Sequence, residues 1–569
     1  MATGTSATDA RPDQDRPGRI GRVEAILIIT AGILVVAAAN ALGPRVAIAP
    51  PLILVAVGVL VTMIPAVPNL MVDPEWILVG VLPPLLYSAA VSMPTMEFRR
   101  NLAAIGGLSI TLVVLSALVV GVVVHAIIPE IPLWTGIAVG AIVSPTDAVA
   151  TQMVKKLGAP SRVVAILEGE SLLNDASALV LLRTAVAATA ISVSLGSAVG
   201  SFVWAILAAV GIGFVVGKAN LLIASRLSNS TVATAVSFTV PYLAYLPAEH
   251  VDASGLVASV TAGIVTGVGA ARHLTAAHRM SEMQNWRTVE LLLEGGVFLL
   301  MGLELSSLIA DVHRDGGRLY TALGVAALVL VVVLAVRAAF VGPMAGLLHR
   351  RARRADLLAP RLREIGDQLP DDVSPKVSRR INRKIADLDY FMSSPLGWRE
   401  STIVVWAGMR GAVTVAAAQT LPIDTTSRSL LVLVAFLVAL GSLGLQGLTL
   451  APLVRLLGVT PDEGEIEAER RALHERLRGV IEDDLSDRFA ADPERYRRVR
   501  DAVVTSEDSE DGTVRHVGRA EFVALRQAMI DAQRGELLAL RDEGQFSSQV
   551  LTEALARLDA EQITVNLYR

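Results

Sequence analysis

Three polar clusters interrupt long apolar stretches of this chain, and each carries an ionisable group. In "AIVSPTDAVA", residues 141–150, Asp147 lies far from either end of its apolar run. Pro145 removes one helical hydrogen bond and clashes with the carbonyl of Ala141, so a break is expected there. Inside a membrane such a break is tolerated where it lines a cavity. The freed carbonyls, a hydroxyl from Ser144 or Thr146 and the carboxylate of Asp147 are hard oxygen ligands, suited to a small alkali cation. A proline kink beside a water-solvated Asp is the plainer alternative.

In "LEGESLLNDASALV", 167–180, Glu170, Ser171, Asn174 and Asp175 fall at helical offsets of one, four and five. The first three share one side of a helix and Asp175 an adjacent side. Such a face must look into a polar interior, either an ion path or a polar packing seam. In "VVWAGMRGAVTVAAA", 404–418, Arg410 sits between Gly408 and Gly411 in mid-run. Glycine permits local unwinding and close backbone approach. Arginine keeps its charge, so it needs a carboxylate or a half-helix C-terminus, and Glu170 is the expected partner. Arg410 could also simply pin helices together.

A carboxylate such as Asp175 is an oxygen ligand when ionised and a proton carrier when neutral. Cation and proton then compete for one site. If the site crosses the membrane loaded with either, but never empty, exchange is obligatory. The chain contains no ATP-binding motif.

The elements that must hold these groups follow from composition. The chain has 569 residues, 53% of them hydrophobic, with a mean hydropathy of +0.55. Apolar stretches of near 20 residues recur, each long enough to span a bilayer. The class is an all-α polytopic membrane protein, since a membrane barrel would show alternating segments of about ten residues. An ionisable group at mid-membrane costs roughly 3 kcal/mol on insertion scales, so the three clusters need partners, water or a function. Net charge is −4, which implies no nucleic-acid partner, and the absence of cysteine excludes disulfides and thiolate chemistry.

About thirteen spans are expected, centred near Leu34, Ala56, Val81, Val114, Ala141, Ala178, Val210, Thr239, Ala262, Phe298, Val331, Gly411 and Phe436. The expected divisions are a polar arm 1–22, a membrane domain 23–456 and a helical tail 457–569. The loop 349–398, rich in arginine, anchors the topology on the cytoplasmic side. It could also bind anionic lipid. Stepping outward from it places most basic loops and the tail inside and the N-terminus outside, although the basic arm then lies against the rule. Two broken helices in opposite halves are the expected layout of an inverted-repeat transporter.

The clusters together resemble the NhaP and eukaryotic sodium–proton exchanger branch of the monovalent cation:proton antiporters. "LPPLLYSAA" at 82–90, "SPTDAVA" at 144–150, "EGESLLNDA" at 168–176, "GGVFLLMGLEL" at 295–305 and "GMRGAVTVA" at 408–416 occur in that family's order. The resemblance implies two broken helices that cross, with Asp147, Asn174 and Asp175 as the ion site and Thr146 and Ser171 as further ligands of Na+. It implies a structural ion pair between Glu170 and Arg410, and electroneutral exchange from Asn174. It also implies a homodimer in a plasma membrane, and an elevator-like motion of core helices, about 102–190 and 318–456, against a dimerisation domain. No cofactor is implied beyond the transported Na+ and H+. The chain departs from the pattern at Ser88, where many relatives carry an acid, and Glu294 stands where many bacterial relatives have Asn.

Other signals are less specific. Glu290 and Glu294, one turn apart, fit a cytoplasmic funnel or helix pairing. Arg337 lies deep in its span and needs a partner that the sequence does not name. "GIGFVVG" at 211–217 is read as close helix packing. Two tail segments, 466–485 and 521–544, are helical in pattern and fit either a small regulatory bundle or a solubilising appendage. Na+/H+ antiport is the leading reading, with Li+ accepted. K+/H+ antiport is the near alternative, because oxygen ligands alone do not set the size of the site. A cation channel would need a continuous pore and selectivity rings, and a dense proton-titratable cluster with two broken helices favours a carrier instead. An intramembrane enzyme would need a nucleophile–base or paired catalytic Asp motif, which is likewise absent.

Overall fold

A computed structural model describes residues 22–46, 49–64, 74–190, 195–314, 318–367, 375–393, 396–459, 463–488 and 519–567. The N-terminal arm, apart from Arg22, lies outside the described residues, as do parts of the basic loop and of the tail. Among the described residues all regular structure is helical.

The membrane part runs α1 (Arg22–Val46), α2 (Pro50–Thr62), α3 (Leu82–Ser92), α4 (Thr95–Gly106), α5 (Leu112–Ile127), α6 (Leu133–Val143), α7 (Ala148–Lys156) and α8 (Ser161–Ala190). It continues through α9 (Leu195–Ala224), α10 (Ser230–Ser237), α11 (Val240–His250), α12 (Gly255–His273), α13 (Ala276–Arg314) and α14 (Leu319–Asp367). After α15 (Pro375–Ser393) come α16 (Trp398–Trp406), α17 (Ala412–Gln419) and α18 (Arg428–Leu457). Nine of the described segments are long and apolar enough to cross a membrane, and Pro50–Thr62 and Trp76–Ser92 are shorter apolar ones. The expected centres at Thr239 and Gly411 fall at junctions before short helices, and the others fall within helices.

Local chemistry sets several boundaries. Pro50 and Pro51 open α2, where their missing N–H groups cost nothing. Ser254 caps α12 by accepting from the Val257 amide. Gly458 ends α18 in the left-handed region, at φ +60°.

The helices pack in two groups. In one, α5, α6, α8, α14, α17 and α18 surround a buried apolar core with α4, α7 and α16 at its flanks. In the other, α3, α9, α11 and α12 bury a second core around Tyr87, Tyr245 and Trp286. The 211–217 segment does pack closely: a Cβ at Gly217 would lie 2.8 Å from the carbonyl oxygen of Ala262 on α12. Helix α13 packs on α2, α3 and α10 and also meets α17 and α18, so it lies between the groups.

The tail forms α19 (Glu463–Arg488), α20 (Arg519–Glu543) and α21 (Ser548–Leu567). They bury Leu473, Leu477, Leu537, Leu540, Val550, Leu551 and Leu558 together, and Met96 of α4 joins that core. Asp559 of α21 accepts from Arg279 Nε of α13 at 2.8 Å and from Arg534 of α20 at 3.0 Å. Glu97 of α4 accepts from the backbone amide of Ser548 at 2.9 Å. The tail is therefore docked onto the membrane part through both α4 and α13.

Candidate functional site

The first break separates α6 from α7 at residues 144–147, as Pro145 dictates. Asp147 ends it as the N-cap of α7, with Oδ1 accepting from the Val149 amide at 3.2 Å. The carboxylate thus stands at the positive end of a short helix, which favours its charge. The second break separates α16 from α17 at residues 407–411. The two breaks cross, and the Asp147 amide donates to the Met409 carbonyl at 2.7 Å.

Gly411 is required by that crossing. A Cβ there would overlap the Asp147 carboxylate. Gly408 serves a different neighbour, since its Cβ would lie 2.6 Å from Nε of Arg337.

The expected Glu170–Arg410 pair is not formed. Both carboxylate oxygens of Glu170 are taken by Arg337 of α14 in a two-pronged pair, with Nη2 to Oε2 at 2.8 Å. Arg337 also donates to the Val404 carbonyl of α16 from Nε and Nη2. Both side chains are about 1% exposed, so each charge depends on the other. Arg410 donates instead to backbone: Nε reaches the Val143 carbonyl at the C-terminal end of α6, at 3.0 Å, and Nη1 reaches Gly408. Its amide is held by Ser442 Oγ at 2.9 Å, and Ser442 donates to Gln446 at 2.7 Å. A half-helix C-terminus with free carbonyls satisfies a guanidinium without a carboxylate. Arg410 thus pins α6, the second break and α18 together.

Thr146, Asp147, Ser171 and Asp175 line one cleft of about 760 Å³, counting the open space at its mouth. Glu290 and Glu294 of α13 line it too, and none of its lining residues is basic. The two arginines nearest the breaks are turned away, to Glu170 and to carbonyls. What remains is a largely apolar cleft into which the carboxyl groups of Asp147, Asp175, Glu290 and Glu294 are gathered without a basic residue. Ser171 Oγ donates back to the Glu168 carbonyl at 3.3 Å, which leaves its oxygen able to accept or ligate. Asn174 and Glu170 stand behind the cleft wall. Asn174 Nδ2 donates to Thr146 Oγ1 at 2.6 Å, and Thr146 donates to Glu170 Oε1 at 3.3 Å. Among the described residues, Asn174 Oδ1 has no hydrogen-bond partner.

Sequence reasoning missed the partner of Arg337 and the supporting role of Ser442 and Gln446. The i, i+4 polar pair Ser442–Gln446 inside an apolar helix was the available signal. Ser88 takes part in the mouth, with Oγ 3.3 Å from Glu290 Oε2.

Known proteins are similar to this chain in family and fold. A family model described as sodium/hydrogen exchanger, transmembrane, matches residues 31–456. An uncharacterized Na+/H+ exchanger of Mycobacterium tuberculosis is 27% identical over 564 residues, spanning 96% of this chain and 97% of its own. A sodium, potassium, lithium and rubidium/H+ antiporter of Bacillus pumilus is 29% identical over 304 residues, 52% of this chain and 45% of its own. The solved structure of the sodium proton antiporter MjNhaP1 from Methanocaldococcus jannaschii superposes with a TM-score of 0.55 at 16% identity, covering 77% of this chain and 99% of that one.

Proposed function

The chain belongs to the sodium/hydrogen exchanger family, and from that premise we propose that it is a secondary antiporter exchanging Na+, and Li+, for protons at the cleft between the crossed breaks. The observation that carries this reading is that Asp147 and Asp175 line one cleft that holds no basic side chain. Two carboxylates with the hydroxyls of Thr146 and Ser171 offer the oxygen set of a small cation. Protonation of the carboxylates removes that set, so cation and proton exclude each other. Asn174 adds no charge, which favours one cation for one proton. Its buried position suggests that it orders Thr146 rather than reaching the ion directly.

Movement follows the packing. The helices carrying the breaks form one body, α13 runs beside it, and an elevator-like shift of that body, about 102–190 with 318–456, would present the cleft to either side. The dimer would form on the other group of helices. The basic loop and the tail face the cytoplasm of a plasma-membrane protein, with the N-terminus outside.

Purified protein in proteoliposomes under an imposed proton gradient tests this. Addition of Na+ should relieve the quench of a pH dye saturably, and Asp175→Asn or Asp147→Asn should abolish the response. Unsaturable conductance without proton movement would overturn the reading. K+/H+ exchange is the second reading, favoured by the potassium in the name of the Bacillus pumilus relative. The same assay with K+ in place of Na+ separates the two.

A further inference from the structure

Along α13 the cleft is lined by Glu290, Glu294, Val297 and Phe298. Further along α13, Met301 and Glu304 are buried and Leu305 and Leu308 half-buried between α13 and the body carrying the breaks, with Leu305 and Leu308 packed against both of the large apolar cores there. An apolar residue would suit such a position best. Glu304 is nonetheless a carboxylic acid, 6% exposed. Its partner among the described residues is a neutral amide, Gln419 Nε2, which donates to Oε2. Gln419 is the last residue of α17, the second half of the second broken helix. Its own carbonyl is held by Arg428 Nη2 at 2.7 Å.

The position of Glu304 gives this cost a purpose. Val297, which lines the cleft, and Glu304 are seven residues apart, on one face of α13. Glu294 and Glu304 are ten residues apart, about 15 Å along the helix. One helix thus carries two carboxylates that line the cleft and a further one beyond its lining. A carboxylate buried against an amide is costly in a state that never changes. It is useful in one that opens, because the same group then meets water and draws cations to the mouth.

We propose that Glu304 is the cation-gathering carboxylate of the opposite mouth, latched to Gln419 while the cleft opens beside Glu290 and released when the site faces the other way. This rests on the alternating-access reading above and adds to it a named residue and a contact that must break in every cycle.

The test is sided. In right-side-out and inside-out vesicles, Glu304→Gln keeps the size and a hydrogen bond to Gln419 but removes the charge. The apparent KM for Na+ at the face opposite Glu290 should rise roughly fivefold, with the KM at the Glu290 face unchanged. A merely structural role would change the maximal rate, or both KM values together, and that outcome overturns the proposal. The chain has no cysteine, so the double variant Glu304→Cys with Gln419→Cys can be joined by a short thiol-specific bifunctional reagent carrying a reducible link. Exchange should stop on joining and return on reduction. Failure to join, or full exchange by the joined protein, also overturns it. If the unaltered protein moves no protons against Na+, the antiport reading falls instead, which the same vesicles report.

Discussion

At the scale of single residues, the site depends on where two arginines put their charge. Arg337 neutralises Glu170, and Arg410 satisfies carbonyls, so neither offsets Asp147 or Asp175. Removing one partner of a buried pair leaves an uncompensated charge and costs about 3–5 kcal/mol. Glu170→Ala should therefore lower the unfolding temperature in detergent sharply, and Glu170→Ala with Arg337→Ala should be less harmful than the sum of the singles. Glu170→Ala with Arg410→Ala should be close to additive, and strong coupling in that pair instead would restore the partnership expected from sequence. The identity of the ionisable groups was legible in the sequence, because each stood alone in an apolar run. Their pairing was not. Arg337 and Thr146 converge on the Glu170 carboxylate from distant positions, and the register of α14 against α8 depends on packing that a single apolar run does not encode.

At the scale of elements, the breaks were legible and their crossing was not derivable from residue spacing. Pro145 announces the first, and the glycines at 408 and 411 announce the second. Which neighbour each glycine admits, Arg337 of α14 for Gly408 and Asp147 for Gly411, emerges only in the packed structure. Gly411→Ala places a methyl group on the Asp147 carboxylate and should cost about 1–3 kcal/mol as overpacking. Sodium-driven proton movement should fall with it. Gly444→Ala, in α18 with open space around it, is the control and should instead gain about 0.5–1 kcal/mol from helix propensity. Equal effects of the two in a thermal-shift and transport comparison would mean that the close approach at Gly411 is unimportant.

At the scale of the molecule, the tail is a packed part of the structure. Two of its three described helices were readable from their pattern, but Ser548–Leu567 was not named and the docking was hidden because it uses isolated groups, Glu97, Arg279 and Asp559, spread over more than 400 residues. Asp559→Ala would leave Arg279 and Arg534 facing each other without their shared carboxylate. Hydrogen exchange in α21 should then speed up roughly tenfold, a local loss of about 1.4 kcal/mol, while α6 stays protected. Unchanged protection of α21 would show that the apolar core with Met96 holds the tail by itself. The seam where the Asp147 amide meets the Met409 carbonyl has a different reach. It is made of main chain, so removing the side-chain carboxyl at 147 leaves its donor and acceptor in place, and the halves of the sequence stay fastened even when that carboxylate is gone. Loss of ion binding and loss of that fastening can thus be separated chemically. An ester in place of the 147 amide would undo the fastening and spare the acid.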